Sequence, residues 1–377
     1  MYTIRVEDFI DVKESKSSFD VNDMIHICKR HNNPKREYLF VNKYQGKHYP
    51  ANPKDVLRVF DELFYEIEKK YISTDKKILV VGFAETATGI AQRITHNAIT
   101  QGTINVVYHL QTTRENIETD IRNINFDEQH SHAVSQKLYY PENVPDYDVV
   151  LFIEDEITTG NTIINFINQF KKLNPKAKYA VASILNWQNK ENEEKYKELD
   201  IDTIYLVKGY IKNELPKLDI EQKYILVHEP TVENVKILSD QQNPRTGLSV
   251  EDFKEFVATN NHFYKLAEQY KDEKVMVIGT EENMYLPILV ANYLGNQTTV
   301  RATTRSPIAV CEDEDYLIYN GIEMPSAYES SRVTYLYDID NSYDTALVIV
   351  ETATVEFKKH IEQELKNKGI KHVVFLQ

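Results

Sequence analysis

The 377 residues carry 44 Lys and Arg against 58 Asp and Glu, a net charge of −14 that disfavours generic binding to a phosphate backbone. Hydrophobic residues at 42% and charged residues at 27% describe a folded chain able to bury sizeable cores, and the length suggests about two domains of ~150 residues. Two distant cysteines, Cys28 and Cys311, argue against a disulfide framework or a cysteine metal site; with no signal-like leader and no apolar run of about 18 residues, a cytoplasmic chain without a membrane span is expected.

In chain order, residues 30–50 are basic within an acidic chain, and Arg36, Lys43, Lys47 and His48 suit an anionic ligand; a solvated basic surface would have the same composition. An amphipathic helix is expected over 54–71, where apolar residues recur three and four apart. ILVVG at 78–82 reads as a strand ending in glycine. A turn bearing Glu85, Thr86 and Thr88 follows, then a helix through 89–98. The next strand is expected at 104–108, before Thr112-Thr113-Arg114, whose arginine suits a bidentate phosphate contact. Residues 126–132, FDEQHSH, supply His130 and His132 as candidates for phosphate binding or proton transfer; two histidines are too few for a metal site without further ligands. Strands at 148–153, 179–185 and 204–207, with a helix at 162–172, complete an alternation that implies a parallel sheet flanked by helices.

The pattern breaks over 211–249, which includes QQNPRTG at 241–247. We place a domain boundary near 230, giving units 1–230 and 231–377. A helix over 250–270 and strands at 274–279, 298–303, 332–337 and 345–350 then mark a second α/β unit.

The most informative segment is VVLFIEDEITTGNT at 149–162. An apolar strand ends in Glu154 and Asp155, whose adjacent carboxylates can accept hydrogen bonds from two vicinal ribose hydroxyls. Thr158, Thr159, Gly160, Asn161 and Thr162 then open a helix. Small hydroxyl residues and a glycine let backbone N–H groups close around a phosphate, and the helix start adds its dipole. Such a site lies at the carboxyl edge of a parallel sheet, where these folds bind ligands. A plain capped helix entry does not require two acids directly after an apolar run together with a Thr-Gly-x-Thr run. The Walker phosphate loop needs a Gly-Lys-Thr/Ser ending, and Asn161 stands where its lysine would be.

This loop resembles the signature of type I phosphoribosyltransferases. The resemblance implies Glu154 and Asp155 on the ribose of phosphoribosyl pyrophosphate (PRPP), residues 158–162 on its 5′-phosphate, and Mg²⁺ held indirectly, through PRPP oxygens beside Glu154 and Asp155. It also implies a pyrophosphate-binding turn at Glu85, Thr86 and Thr88, with Arg114 nearby, and a loop over the site at 126–132. Lys43 and Lys47 are further PRPP candidates, and Trp187 with 207–210 (VKGY) would help shape the acceptor pocket. Taken in order, NPKR, LFVNK, GKH, GFAETATG, HSH and EDEITTGNT make the chain similar to the orotate-phosphoribosyltransferase-like family of tellurite-resistance and stress gene clusters. That family carries a C-terminal domain named for a Thr-Arg-Ser-Pro motif, which stands here at Thr304, Arg305, Ser306 and Pro307.

The second unit echoes the first. KVMVIGTEE at 274–282 repeats KILVVGFAE at 77–85, Thr303-Thr304-Arg305 repeats 112–114, and DTALVIVE at 344–351 repeats DVVLFIED at 148–155. The interval from Gly82 to Asp155 is 73 positions, and that from Gly279 to Glu351 is 72. We read a diverged copy of one α/β core without the Thr-Gly-x-Thr cradle, so a second PRPP site is not expected. Any two doubly wound domains share similar spacings, and a non-matching strand order would reject the duplication. Gly279, Thr280, Glu281, Glu282, Arg305, Ser306 and Tyr335 are expected to line a strand-end cleft of its own.

The expected function is Mg²⁺-dependent transfer of ribose 5-phosphate to or from a nitrogen base, in making a nucleoside- or nucleotide-like metabolite. The alternatives are a PRPP- or nucleotide-sensing module without turnover, or a stress-response scaffold. PRPP and a small base or nucleotide are the expected partners, with homo-oligomer or stress-cluster proteins as further ones; nucleic acid is not.

Overall fold

The computed structural model describes residues 5–31, 37–126, 136–213, 215, 220, 235, 237–238, 243–313 and 316–377. Its central sheet has seven strands in the order Ile10–Ser15, Ile201–Ile211, Lys178–Asn186, Val149–Ile157, Ile78–Gly82, Val106–Gln111 and Leu248–Ser249. The five inner strands are parallel, and the two edge strands are antiparallel to their neighbours. Inner strands are covered on both faces, so they read as unbroken apolar runs; Val149 to Ile153 and Ile78 to Gly82 are all buried.

The helices cover this sheet through simple spacing. Pro53–Tyr71 starts with Pro53 behind Asn52, whose side chain accepts from Lys54 N, a favourable N-terminal pairing. Its Phe60, Leu63, Phe64 and Ile67 are fully buried, three and four apart. In Asn161–Leu173, Ile163, Phe166, Ile167 and Phe170 form the inward stripe, and the Phe166 and Phe170 rings each lie 5.6 Å from Phe152.

A second sheet has the order Thr298–Ala302, Val275–Gly279, Thr345–Ile349 and His372–Leu376, all parallel. This repeats the order 106–111, 78–82, 149–157 and 178–186 of the first. The correspondence extends to detail. Thr112 N donates to Gly82 O at 2.9 Å, and Thr303 N donates to Gly279 O at 3.0 Å. Ala84 N donates to Thr112 Oγ1, and Glu281 N donates to Thr303 Oγ1. Each Thr-Thr-Arg run then bridges an antiparallel hairpin, Asn123–Phe126 with Gln136–Tyr139 in the first case and Gly321–Pro325 with Val333–Tyr337 in the second. The strand-order condition that would reject duplication is not met.

Four expectations are corrected. The strand read at 332–337 belongs to this hairpin and not to the parallel sheet. The strand read at 104–108 begins at Val106, because Ile78 pairs with Val106. The helix read over 250–270 is broken into Val250–Ala258, Asn260–Ala267 and a 3₁₀ turn Glu268–Tyr270. The polar linker also holds structure: Pro244–Thr246 is a 3₁₀ turn, and Leu248–Ser249 joins the first sheet.

The two copies pack on each other through counterpart helices, Ala87–Gln101 against Tyr285–Leu294, with 53–71 alongside. The 285–294 helix is apolar nearly all round and buried nearly all round, as such a helix must be. Gly89 lies against Met284 and Ile288, and one hydrophobic core runs from the first sheet through this interface. A separate small core joins Cys28, Leu39 and Val41 of the N-terminal hairpin (Ile25–Lys29 and Tyr38–Asn42) to Ile308, Val310, Ile318 and Tyr337. The hairpin that roofs the first sheet's edge therefore rests on the second copy. Among the described residues no helix is long and apolar enough to cross a membrane.

Candidate active site

At the carboxyl edge of the first sheet the turn after Gly82 comes first. A Cβ at Gly82 would sit 2.6 Å from Ala91 Cβ, so the close strand-to-helix approach needs glycine. Thr112 Oγ1 accepts from Ala84 N at 2.8 Å and donates to Gln136 Oε1 at 2.6 Å. Gln136 Nε2 returns a bond to Ala84 O. The Ala84–Glu85 peptide is cis.

Glu85 is buried, ion-paired to Lys47, and 3.6 Å from Arg114 Nη1. Burial alone would raise its pKa, but the charges of Lys47, Arg305 and Arg114 outweigh it and hold the carboxyl down to about 2. Lys47 is fully buried. Beyond the Glu85 ion pair, its Nζ donates to Glu281 O at 2.6 Å and Thr303 O at 2.8 Å, so the ammonium is enclosed by three oxygens and clamps the two copies together. Thr88 is also an interface residue, its Oγ1 lying 3.0 Å from Glu85 O and 2.9 Å from Glu282 O.

The second wall is the end of the 149–157 strand. Glu154, Asp155 and Glu156 are half-buried there, and Asp155 N donates to a Glu154 carboxylate oxygen at 3.1 Å. Gly160 follows with φ 73° as the residue before the 161–173 helix, whose start has no side-chain cap. Tyr196 Oη donates to Gly160 O at 3.0 Å, and a Cβ at Gly160 would lie 2.2 Å from that oxygen. Both the left-handed backbone and the tyrosine thus require glycine. Asn161 N donates to Thr159 Oγ1 at 3.4 Å, and the N–H groups that follow it carry no side-chain cap and can meet an anion.

Between these walls lies a cleft of about 290 Å³. Glu85, Thr86, Arg114, Glu154, Asp155, Thr158, Thr159, Gly160 and Thr162 all line it. Lys47, Thr88 and Asn161 do not; Lys43 donates to Asp23 Oδ1 at 2.9 Å, outside the cleft. Trp187 is buried under Phe40, ring centres 5.5 Å apart, and Lys208 is tied to Asn186 and Gln188, so both support the wall from behind. Arg36, His130 and His132 lie outside the described residues.

The sequence reading missed Arg30, Phe40 and Gln136 as lining residues, and it assigned Ser306 to a different cleft. Thr304 and Ser306 of the second copy line this cleft as well. The signal for them existed only in three dimensions, through residues some 250 positions apart.

At the equivalent edge of the second sheet the acids after Gly279 are enclosed by protein side chains, while Glu351 lines a separate cleft of about 380 Å³ with Asn283, Ile349 and Thr352. Glu281 is fully buried and bonded to Arg305 Nε at 2.7 Å, Arg332 and Ser326. Burial opposes its charge, but Arg305 and Arg332 hold its pKa below the usual value. Arg305 and Arg332 also meet Glu115. Arg245, 1% exposed, enters from the 244–246 turn and pairs with Glu282 at 2.9 Å and with Glu351, which also accepts from Tyr328. Gly279 and Thr280 are enclosed with them, and Tyr335 is engaged in the Thr304 bridge. The two copies exchange these contacts reciprocally: Thr113 Oγ1 and Arg114 N donate to Glu282, while Arg305 acts on Glu85.

Residues 24–209 match the family model described as phosphoribosyl transferase, and residues 242–365 match the one described as the TRSP domain C-terminal to it. The chain belongs to this phosphoribosyl transferase family with a C-terminal TRSP domain. No curated protein matches the chain. Among solved structures it is similar to adenine phosphoribosyltransferase from Giardia lamblia complexed with 9-deazaadenine (13% identity, 48% of this chain and 93% of that chain, TM-score 0.35). The Leishmania tarentolae enzyme matches at 14% identity over 52% of this chain and 94% of that chain, TM-score 0.35. The Saccharomyces cerevisiae enzyme matches at 11% over 48% and 94%, TM-score 0.33. The family match places the 82–89 turn and the 149–162 loop in the phosphoribosyl transferase part. It places Thr304 to Pro307 in the TRSP domain.

Proposed function

We propose that the cleft binds PRPP and transfers its 5-phosphoribosyl group between pyrophosphate and a nitrogen base. The observation that carries this reading is the pairing, across one cleft, of the Glu154–Asp155 acids and the uncapped Gly160 helix start with the cation-flanked Glu85 turn. The first pair suits a ribose 5-phosphate, with hydroxyls on the acids and phosphate at the helix start. The turn, with Arg114, suits the diphosphate at C1.

In the transfer, the bond from C1 to the diphosphate oxygen breaks and its electron pair leaves with pyrophosphate. The base nitrogen then gives its lone pair to C1. Positive charge develops on the sugar between these steps. Glu154 and Asp155 place negative charge beside it, and Arg114 faces the departing anion; such preorganised charge is commonly the largest catalytic contribution. The cleft roof, formed by Leu39 and Phe40, limits water at the cation.

Mg²⁺ fits the donor set. Glu154 and Asp155 offer hard oxygen ligands, and among the described residues no cluster of three or more His, Cys, Asp or Glu side chains could hold an ion alone. Diphosphate and ribose oxygens would complete its shell, and the ion would neutralise the departing diphosphate. The test is Mg²⁺-dependent release of pyrophosphate from PRPP across a panel of nitrogen bases, repeated with Asp155→Asn. Full activity and PRPP affinity in that variant would overturn the site. PRPP binding with no turnover for any acceptor would replace transfer with sensing.

A further inference from the structure

We propose that His48 binds the pyrophosphate part of the substrate, and that Thr304 of the Thr-Arg-Ser-Pro loop positions it, so that the second domain completes the first domain's site. The inference rests on the transferase reading above and deepens it. His48 is 8% exposed and lines the cleft beside Arg30, Glu85 and Ser306. Its Nε2 lies 3.3 Å from Thr304 Oγ1, and its Nδ1 is buried with no hydrogen-bond partner among the described residues.

The Thr304 hydroxyl can hold the ring in the tautomer that suits an anion. Thr304 Oγ1 already accepts from Ser306 N at 3.1 Å. In the proposed state its own O–H donates to Nε2 at 3.3 Å, which puts the ring proton on Nδ1, where it can meet an anion. A buried N–H without a partner is costly, and an acceptor atom on a ligand relieves it. The surroundings select an anionic acceptor: Lys47 and Arg114 offset Glu85, and Arg30 adds a further positive charge to the cleft wall. Burial, with Lys47 and Arg30, holds the His48 pKa to about 3, so the ring is a neutral donor throughout the neutral range.

Thr304 is fixed from both domains. Its N and O both bond to Tyr335, at 2.9 and 2.7 Å. Arg305 beside it is held by Glu281 and Glu115, and Pro307 O accepts from His31 N at 2.9 Å. The Thr-Arg-Ser-Pro run thus has separable tasks. Its arginine locks the loop, and its threonine orients a histidine 256 positions away.

The experiment is calorimetry on the full chain with Mg²⁺, titrating inorganic pyrophosphate and, separately, ribose 5-phosphate. The wild-type chain is expected to bind both. His48→Ala should weaken pyrophosphate by at least about tenfold, the loss of a hydrogen bond to a charged group, with ribose 5-phosphate changed by less than about twofold. His48→Asn, which restores an N–H near Nδ1, should recover most of the loss. Thr304→Val should weaken pyrophosphate alone, and Thr304→Ser should not. Retained ribose 5-phosphate binding also shows that a variant is folded. If His48→Ala leaves pyrophosphate unchanged, or weakens both probes equally, the inference is wrong while the transferase reading stands. If the wild-type chain binds neither probe, both fall.

Discussion

The carboxyl edges of the two sheets share a backbone plan and differ in what fills them. After the 149–157 strand, Gly160 opens the 161–173 helix without a side-chain cap. At the matching point of the second copy, Thr354 caps the Val355–Asn367 helix by accepting from Phe357 N at 3.1 Å. Asp155 and its counterpart Glu351 each line a cleft, but Glu351 is also bound to Arg245 and Tyr328. The backbone plan is shared while the surroundings differ: a side-chain-capped helix follows the second strand, and Arg245 stands beside its strand-end acid.

The largest effect that could break this comparison is catalytic. Asp155→Asn should lower pyrophosphate release by on the order of 10²–10³, in the range for removing one preorganised charge-stabilising group. Glu351→Gln should leave PRPP affinity intact by calorimetry. Equal losses from both would show that the second edge is also a ligand edge.

The next effect is on stability. Arg245→Met removes one partner from a buried ionic set and should cost about 3–5 kcal/mol in denaturant unfolding. A cost below about 1 kcal/mol would mean that the second edge is not held as described. Acid provides a third test. Glu85 is depressed from the ordinary carboxylate value, 4.5, to about 2, so its stabilisation is complete above pH 4.5 and is lost as pH falls through about 2. Glu85→Gln should flatten the stability curve across that window and lower it at higher pH, where the wild-type carboxylate contributes in full.

Smaller effects separate the helix starts. Gly160→Ala forces a left-handed alanine, costing about 1–2 kcal/mol, and also displaces Tyr196, so PRPP affinity should fall along with melting temperature. Thr354→Ala should cost only about 1 kcal/mol, the usual loss of an N-cap, with PRPP affinity unchanged.

The 154–162 wall of the cleft was legible in the sequence because its residues are contiguous. Glu154 to Thr162 form one local motif, and local motifs survive reading along a chain. The inner strands were legible for a related reason, since burial on both faces leaves unbroken apolar runs. Edge elements gave no such signal. Ile10–Ser15 buries only Ile10, and the Ile25–Lys29 hairpin strand mixes histidine, cysteine and lysine into five residues. Thr259 was invisible as a helix break, although its hydroxyl turns back to Phe256 O at 2.6 Å. The contributions of Lys47, Thr304, Ser306 and Arg245 depend on contacts across the chain. Lys47 looked like a phosphate ligand because composition shows charge and not the three acceptors that already hold it.

The reciprocal packing of the two copies has a consequence for inheritance. In a symmetric dimer every substitution appears twice, so a change that improves one site as a support damages the same site as a catalyst. Here both halves are covalently joined, and dilution cannot part them. A mutation lands on one side only. The half without a Thr-Gly-x-Thr run serves as a wall for the other, and the chain carries an asymmetry that identical subunits could not encode.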